Sequence, residues 1–326
     1  MSDMLSTAGI IFGVFALIFL AVACIDLYKN KKEVSKYHLK DAIVGYLMIF
    51  PAAILTFLFI LLPILYSLGY AFTDYYFLKP NDIHFVGFKN FEYIINNIAK
   101  GGDIYHAIIN TAFFVFLVVP IQIGLALLLA LFCNSKRKGV TIFKVCFFAP
   151  IVISLTVTSY LWKEILSASE TGLLNSILGM FGVPAQDFLR QDGAMFWIVI
   201  ISAWQGCGFQ MLIFLSALSG TRKDLYEAAS LDGANAFNRF IHVTIPSIKP
   251  TLLYILITVF IGACRIMVQP MLLIGYQDSA ITLSYYMYQT GYVGRQVGLS
   301  SAVALLMTII IGAVTFIQRK FLGEKK

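Results

Sequence analysis

The sequence has little charge. Charged residues make up 13% of its 326 residues, whereas about a quarter is usual in soluble domains. Hydrophobic residues make up 59% of the chain, and the mean hydropathy is +0.83. The composition therefore excludes an ordinary soluble domain and predicts a protein that lies in a membrane.

Motifs that hold metals, disulfides or nucleotides are also missing. The five cysteines have no CxxC or paired spacing and the four histidines are scattered, so we predict no disulfide framework and no metal site. No GxxxxGK[ST] stretch occurs, which excludes the usual phosphate-binding loop for ATP. With no paired carboxylates and no Ser/His/Asp or Cys/His set, we expect neither enzymatic activity nor a cofactor bound by this chain.

The basic residues lie just beyond the ends of the apolar runs. A net charge of +7 would suit nucleic acid, but these residues cover no single amphipathic face, so we expect no nucleic-acid partner. Of the 24 Lys and Arg residues, 17 fall in segments predicted to be cytoplasmic, 6 outside and one, Arg265, inside a span. This asymmetry sets a membrane topology.

Seven apolar runs are long enough to cross a bilayer, which takes about 20 residues. They are Thr7–Leu27, Ala42–Tyr70, Ala107–Phe132, Phe143–Trp162, Met195–Leu218, Thr251–Ile274 and Gly298–Ile317. Lysines at 29–40 form a basic cytoplasmic linker after the first run, which places the N-terminus outside and the C-terminus in the cytoplasm. The sequence thus predicts an all-α membrane protein of about seven transmembrane helices.

One polar, patterned segment lies between the fifth and sixth runs. Residues 227–233 read Glu-Ala-Ala-Ser-Leu-Asp-Gly, and residues 243–246 read Val-Thr-Ile-Pro. Apolar residues at helical spacing predict a short helix that ends at Gly233, which can adopt a positive φ. They predict a second helix that Pro246 and Pro250 interrupt before the next run. We expect a helix-turn-helix elbow at 219–246, outside the bilayer.

The order Glu-Ala-Ala, three residues, Gly, nine residues and then hydrophobic-x-hydrophobic-Pro resembles the EAA motif of ABC importer permeases. In that family the elbow docks into a cleft on a separate ATPase subunit and transmits nucleotide-driven closure to the membrane helices. The resemblance implies ATPase-coupling roles for Glu227, Ala228, Ala229, Asp232, Gly233 and Pro246. The alternative is an ordinary amphipathic cytoplasmic loop in which Glu227 is merely solvated.

Other stretches resemble the carbohydrate-type members of that family, such as the maltose and glycerol-phosphate permeases. They are Phe85-Val86-Gly87-Phe88-Lys89-Asn90-Phe91, Asn110-Thr111 and Gly172-Leu173-Leu174-Asn175. The resemblance implies a six-helix type I permease core at 41–326, with residues 1–28 as an extra helix like that of the larger member of a heterodimeric pair. Residues 274–279 depart from the family, where a Thr-x-Gly-Gly-Pro-like stretch is frequent.

The resemblance also implies partners and a location. The partners are a second homologous permease in a heterodimer, two ATPase subunits that bind ATP and Mg, and an extracytoplasmic solute-binding protein. The solute is a sugar, and the location is the plasma membrane of a prokaryote, where the chain crosses the lipid bilayer several times.

A polar stripe on the sixth run is the candidate substrate pathway. At 100° per residue, Tyr254, Thr258, Arg265 and Gln269 fall on one helical face, and a cation within a span costs about 2.5–3.5 kcal/mol on insertion scales. We expect this face to contact solute, together with Gln205 and Gln210 of the fifth run. The alternatives are that Arg265 pairs with a structural partner and that the glutamines join helices. Four tyrosines of the last external loop, Tyr285, Tyr286, Tyr288 and Tyr292, could stack on sugars, contact the binding protein or form an aromatic belt.

The function that follows is the permease subunit of a binding-protein-dependent sugar or oligosaccharide importer. Arg265 leaves open an acidic sugar or a sugar phosphate as the solute. An ion-coupled secondary transporter would need carboxylates inside the membrane, and none lies well inside a predicted span. A membrane scaffold without transport would have no use for the patterned elbow.

Overall fold

The computed structural model describes residues 39–135, 138–190 and 193–322, together with Gly13 and Ile25. The predicted first span and nearly all of the basic linker lie outside these residues. The described chain is helical, and its extended pairings are two isolated bridges, Thr73 with Phe85 and Tyr76 with Gln296.

The described part contains fourteen α-helices and three π-helical segments whose bounds can be given. The α-helices are α1 Leu39–Thr56, α2 Leu62–Tyr70, α3 Lys89–Ala99, α4 Asp103–Cys133, α5 Val140–Val152, α6 Leu155–Ile165, α7 Leu173–Gly179, α8 Ala194–Ser219, α9 Lys223–Leu231, α10 Ala236–Arg239, α11 Ile245–Cys264, α12 Val268–Leu273, α13 Leu283–Tyr288 and α14 Val297–Leu322. The π-helical segments are Phe57–Leu61, Phe240–Thr244 and Gln289–Val293.

Five helical runs in the described residues are long and apolar enough to cross a membrane, or six if the bent pair α5 and α6 counts as one. The five are Ile43–Tyr70, Asp103–Cys133, Ala194–Ser219, Ala236–Leu273 and Val297–Phe321. The all-helical membrane architecture is confirmed. The total of seven spans and the sides on which the termini lie stay predictions.

The centre of the fold is the packing of α8 against α4, α5 and α11. Phe114 of α4 and Phe214 of α8 are almost fully buried, as are Met211 and Ile255. Lipid tails are as apolar as these side chains, so close van der Waals contact stabilises helix pairs in membranes, and small residues permit it. Gly208 is such a residue, because a Cβ there would lie 2.0 Å from the carbonyl oxygen of Phe147.

The predicted fourth span is not one helix. The chain bends by 101° between α5 and α6, where Ile153 is extended and the Ser154 hydroxyl caps α6 by accepting from Val157 N at 3.3 Å. The Nε2 of Gln205 donates to the freed Ile153 carbonyl at 3.3 Å. Non-helical backbone at membrane depth requires such partners, and the hydropathy of the run gave no sign of it.

The prolines after the elbow do not interrupt the chain, so that prediction is wrong. Pro246 is the second residue of α11, directly after the π-helical segment, and Pro250 lies inside the same helix. The π-helical segment Phe240–Thr244 joins α10 to α11 without a break. The elbow's second arm is therefore continuous with the sixth span.

The sixth span instead breaks further along, at Arg265–Met267 between α11 and α12. Pro270 cannot donate to the carbonyl of Ile266 four residues earlier. The hydroxyl of Thr282 donates to that carbonyl at 2.6 Å instead. Pro270 was the sequence signal for this break.

The segment predicted as the last external loop is largely helical and packed. Asn110 Nδ2 donates to the carbonyls of Asp278 and Ile281 at 2.7 and 2.9 Å, and the Thr111 hydroxyl accepts from Leu283 N at 2.9 Å. Tyr285 and Tyr286 of α13 are consequently buried. The three roles considered for the four tyrosines of this segment stay predictions.

The segment between α2 and α3 is held in the same manner. Asn90 Nδ2 donates to the carbonyls of Ala71 and Thr73 at 2.9 and 2.8 Å. The backbone N–H of His84 donates to Asp74 at 2.7 Å, and this hydrogen bond holds the pKa of the Asp74 carboxyl below its ordinary value. Asn90 and Asn110, which belong to the stretches that resemble the permease family, therefore bind irregular backbone to helices.

Candidate functional site

The elbow is a short helix followed by a left-handed turn. Helix α9 covers Lys223–Leu231, and Gly233 has a φ of +77°. Its N–H donates to the Ser230 carbonyl at 3.1 Å, while Ala234 N donates to Ala229 O at 2.9 Å. These bonds satisfy the last carbonyls of the helix, as in common glycine-terminated helix ends.

The elbow's outer surface is open. Glu227, Ala228, Asp232 and Gly233 are exposed, and Ala229 is half-buried. Leu231 and Phe237 are 89% and 69% exposed, although both are large and apolar. A shallow alanine surface beside two apolar side chains and a carboxylate suits a protein partner. Pro246 lies in the first turn of α11 and is exposed.

Polar side chains lock the two arms of the elbow together. The hydroxyl of Tyr226 lies 2.9 Å from that of Thr244, which is buried. Arg239 Nη1 donates to the Ser230 hydroxyl at 2.9 Å, and Asn235 caps α10. Sequence analysis missed these residues because their partners are 9 and 18 positions away. These contacts tie α9 to α10 and to the π-helical segment that precedes α11.

A cavity of about 810 Å³ lies at the other end of α11. Segments from α4, α8, α11, α13 and α14 line it, and so do both helix breaks, at Ile153–Ser154 and Arg265–Met267. Its polar lining residues are Gln122, Ser154, Ser202, Gln205, Gln210, Thr258, Arg265, Gln269 and Ser284. No Asp or Glu is among the described residues that line it.

The structure brings most of the predicted pathway residues to this cavity. Thr258, Arg265, Gln269, Gln205 and Gln210 all line it. Tyr254 does not line it, and its side chain is 55% exposed. The prediction that four of these residues share one helical face is wrong, because the break after Cys264 separates Arg265 and Gln269 from α11.

A relay of hydrogen bonds crosses the cavity wall. Ser202 donates to Gln269 Oε1, and Gln269 Nε2 donates to Gln205 Oε1 at 3.3 Å. Gln205 Nε2 in turn donates to the hydroxyl of Thr158 at 3.1 Å and to Ile153 O. Both amides are buried. The relay joins α6, α8 and α12, so Gln205 does connect helices, as the alternative interpretation held, whereas Gln210 is not part of the relay.

Two polar side chains of the cavity lining have a group with no partner among the described residues. Oε1 of Gln210 is buried, and no donor among the described residues reaches it. The guanidinium of Arg265, on an exposed residue, makes no hydrogen bond or ion pair with the described residues. Because both side chains line the cavity, Gln210 and Arg265 are the strongest candidates for solute contact.

We expect Gln269→Leu to loosen this wall. Leucine has a similar volume, but Gln205 and Ser202 would lose a partner, which costs about 1–3 kcal/mol for an unsatisfied buried group. The thermal midpoint of the purified protein should fall. Tyr254→Phe, outside the cavity, is the control and should leave it unchanged. An unchanged midpoint in Gln269→Leu would contradict the relay.

No group of three or more His, Cys, Asp or Glu side chains in the described part could hold a metal ion. The elbow is an exposed surface with apolar and acidic side chains, and the cavity is a polar pocket between broken helices.

Comparison with known proteins identifies the family. Residues 98–325 match the model of the binding-protein-dependent transport system inner membrane component. The arabinooligosaccharides transport system permease protein AraP of Bacillus subtilis (strain 168) is 32% identical over 308 residues, which are 92% of each chain. The trehalose/maltose transport system permease protein MalF of Thermococcus litoralis is 29% identical over 289 residues, 88% of this chain and 96% of that one.

A solved structure has the same fold. A chain in the crystal structure of a bacterial alginate ABC transporter, in complex with alginate pentasaccharide-bound periplasmic protein, superposes with a TM-score of 0.75 at 23% identity. The match covers 89% of this chain and 95% of that one. Family model, relatives and fold agree, and the chain belongs to the family of carbohydrate ABC importer permeases, the inner-membrane components of binding-protein-dependent transport systems.

Proposed function

We propose that this permease couples ATP hydrolysis by separate ATPase subunits to import of a sugar or oligosaccharide, through the elbow at 219–246. Glu227 and the alanines at 228 and 229 would contact the ATPase, and Gly233 would set the angle of the turn. The observation that carries the proposal is the continuous helical run from Ala236 to Cys264. This run connects the exposed elbow to the wall of the cavity.

The motion would act on the cavity through α11. ATP-driven closure of the ATPases would shift α9, and the contact between Tyr226 and Thr244 would carry that shift to α11. Thr258 and Gly262 of α11 line the cavity, so its shape would change with the elbow. A second permease subunit would complete the pathway, and an extracytoplasmic binding protein would deliver the solute.

The lining favours a transporter driven from outside the chain. Proton- or sodium-coupled carriers place carboxylates at their sites within the membrane, and none of the described residues around this cavity is acidic. An acidic sugar is the second candidate solute, supported by Arg265, whose guanidinium has no partner among the described residues. A neutral oligosaccharide would use the amide of Gln210, which lines the cavity and is not part of the relay.

The experiment has two parts. The tagged chain, produced with its partner subunits, is purified in mild detergent, and uptake is measured in cells for arabinotriose, maltotriose, lactose and digalacturonate. We expect an ATPase and a second permease to co-purify and at least one saccharide to accumulate in an ATP-dependent way. Purification without an ATPase, or uptake that persists without ATP, would overturn the coupling. Preference for digalacturonate would identify the acidic solute.

A further inference from the structure

A second, outer pocket of about 410 Å³ lies where two segments predicted to be external meet. Asp103 comes from the start of α4, and the remaining wall comes from residues 276–296. The two segments are joined by a hydrogen bond of 2.8 Å from the hydroxyl of Tyr276 to the carboxylate of Asp103. The pocket is thus a junction between α4 and the segment before α14.

The lining of the outer pocket is dense in hydrogen-bonding groups. Besides Asp103 and Tyr276 it contains Gln289, Thr290 and Gln296. Gln289 donates to the hydroxyl of Tyr285 at 3.3 Å, which leaves its amide oxygen free, and the exposed Gln296 side chain bonds no described residue. Burial and the Asp103 carboxylate raise the pKa of Tyr276, so its hydroxyl remains a donor. One carboxylate among amides, hydroxyls and a tyrosine ring suits a hydroxyl-rich, uncharged ligand.

One wall separates this pocket from the inner cavity. It consists of α13 and the π-helical segment Gln289–Val293. Ser284 and Met287 face the inner cavity, whereas Tyr286, Gln289 and Thr290 line the outer pocket. At 100° per residue within α13, Tyr286 lies about 160° from Ser284 and about 100° from Met287, so it is on a different face of the helix. The same short element therefore borders both chambers.

We propose that the outer pocket is a second saccharide site, at which the solute is held by Asp103, Tyr276 and the two glutamines before it enters the inner cavity. The proposal rests on the proposed function as a saccharide importer. In this proposal, α13 and the following π-helical segment form the partition between the two chambers, which the solute must pass. A loop of the binding protein seated in the pocket is the competing occupant.

The test measures whether saccharide shields the pocket. Val293→Cys, an exposed lining position that is not among the residues proposed to hold the solute, is placed in the assembled transporter after Cys24 and Cys146 are replaced by serine, and membrane vesicles are washed free of binding protein. The rate of reaction with a membrane-impermeant maleimide is measured with and without the saccharide of the panel that the wild type takes up. Lys79→Cys, an exposed position on the same predicted side and outside the pocket, is the matched control.

We expect the saccharide to slow labelling at position 293 about ten-fold when it is present at about ten times its Kd, since only empty sites react. Labelling at position 79 should not change. Asp103→Asn should raise the protecting concentration about ten-fold, because a hydrogen bond to a charged group is lost. Gln269→Leu, in the inner cavity, should leave protection intact even where uptake falls.

Three results would overturn the site. The first is no protection at saccharide concentrations that saturate uptake, and the second is protection that Gln269→Leu removes and Asp103→Asn keeps. The third is protection only when binding protein is added without saccharide, which would assign the pocket to that partner. Absence of uptake for every saccharide would instead remove the proposed function.

Discussion

Gly208→Ala is expected to prevent correct packing of the transmembrane helices. The added Cβ would lie 2.0 Å from the carbonyl oxygen of Phe147 and 3.0 Å from Cα of Phe148. Both atoms belong to backbone and cannot rotate away, so α8 and α5 must separate. Overpacking costs about 1–3 kcal/mol and occasionally more, and it outweighs the gain of about 1 kcal/mol that alanine brings to a helix.

The measurement is the yield of folded protein and its thermal midpoint in detergent. Gly124→Ala is the matched control, since Gly124 also lies within a long helix but has no atom within 4 Å of the place that the added methyl group would take. It should leave stability unchanged or raise it slightly. Gly206→Ala should fall between the two, because its nearest neighbour is the side chain of Gln122, which can move. Equal thermal midpoints for Gly208→Ala and Gly124→Ala would show that α8 and α5 do not pack as closely as described.

Gly233→Pro is expected to uncouple the ATPase from transport. Proline holds φ near −65°, whereas residue 233 has a φ of +77°, and it removes the N–H that donates to Ser230 O. The turn must therefore re-form and redirect α9. We expect solute-stimulated ATP hydrolysis by the purified complex to fall to its unstimulated rate.

Gly233→Asn provides the control for this variant. Asparagine tolerates the left-handed region better than other residues that carry a side chain, so most of the stimulation should remain. Both variants should keep the thermal midpoint of the membrane helices, since residue 233 is exposed and has no neighbour within 4 Å. Full stimulation in Gly233→Pro would refute the elbow as the coupling element.

Hydropathy predicts the long helices because membrane burial acts on whole runs of about 20 residues. The prediction of Met195–Leu218 lies within one residue of α8 at each end, and Gly233 has the positive φ expected of it. Local patterns were sufficient in both places. The spacing of apolar residues also predicts the short helix of the elbow, Lys223–Leu231.

The helix breaks could not be read from hydropathy because distant side chains stabilise them. Ile153 O receives a hydrogen bond from Gln205, and Ile266 O receives one from Thr282. Ile153 and Gln205 are 52 residues apart in the chain, and Ile266 and Thr282 are 16 apart. No local sequence pattern therefore links either carbonyl to its donor. The predicted polar stripe requires a helix that continues from Tyr254 through Arg265. The helix ends at Cys264, so the stripe does not form.

The uninterrupted run from Ala236 to Cys264 is also a mechanical lever. At about 1.5 Å per residue it is roughly 40 Å long. A tilt of about 5° at the elbow end would displace the far end by about 3 Å, which is comparable to the diameter of a water molecule. Small rotations at the elbow would thus move the cavity wall by about one water diameter, and the stiffness of the run would set how closely the two movements are synchronised.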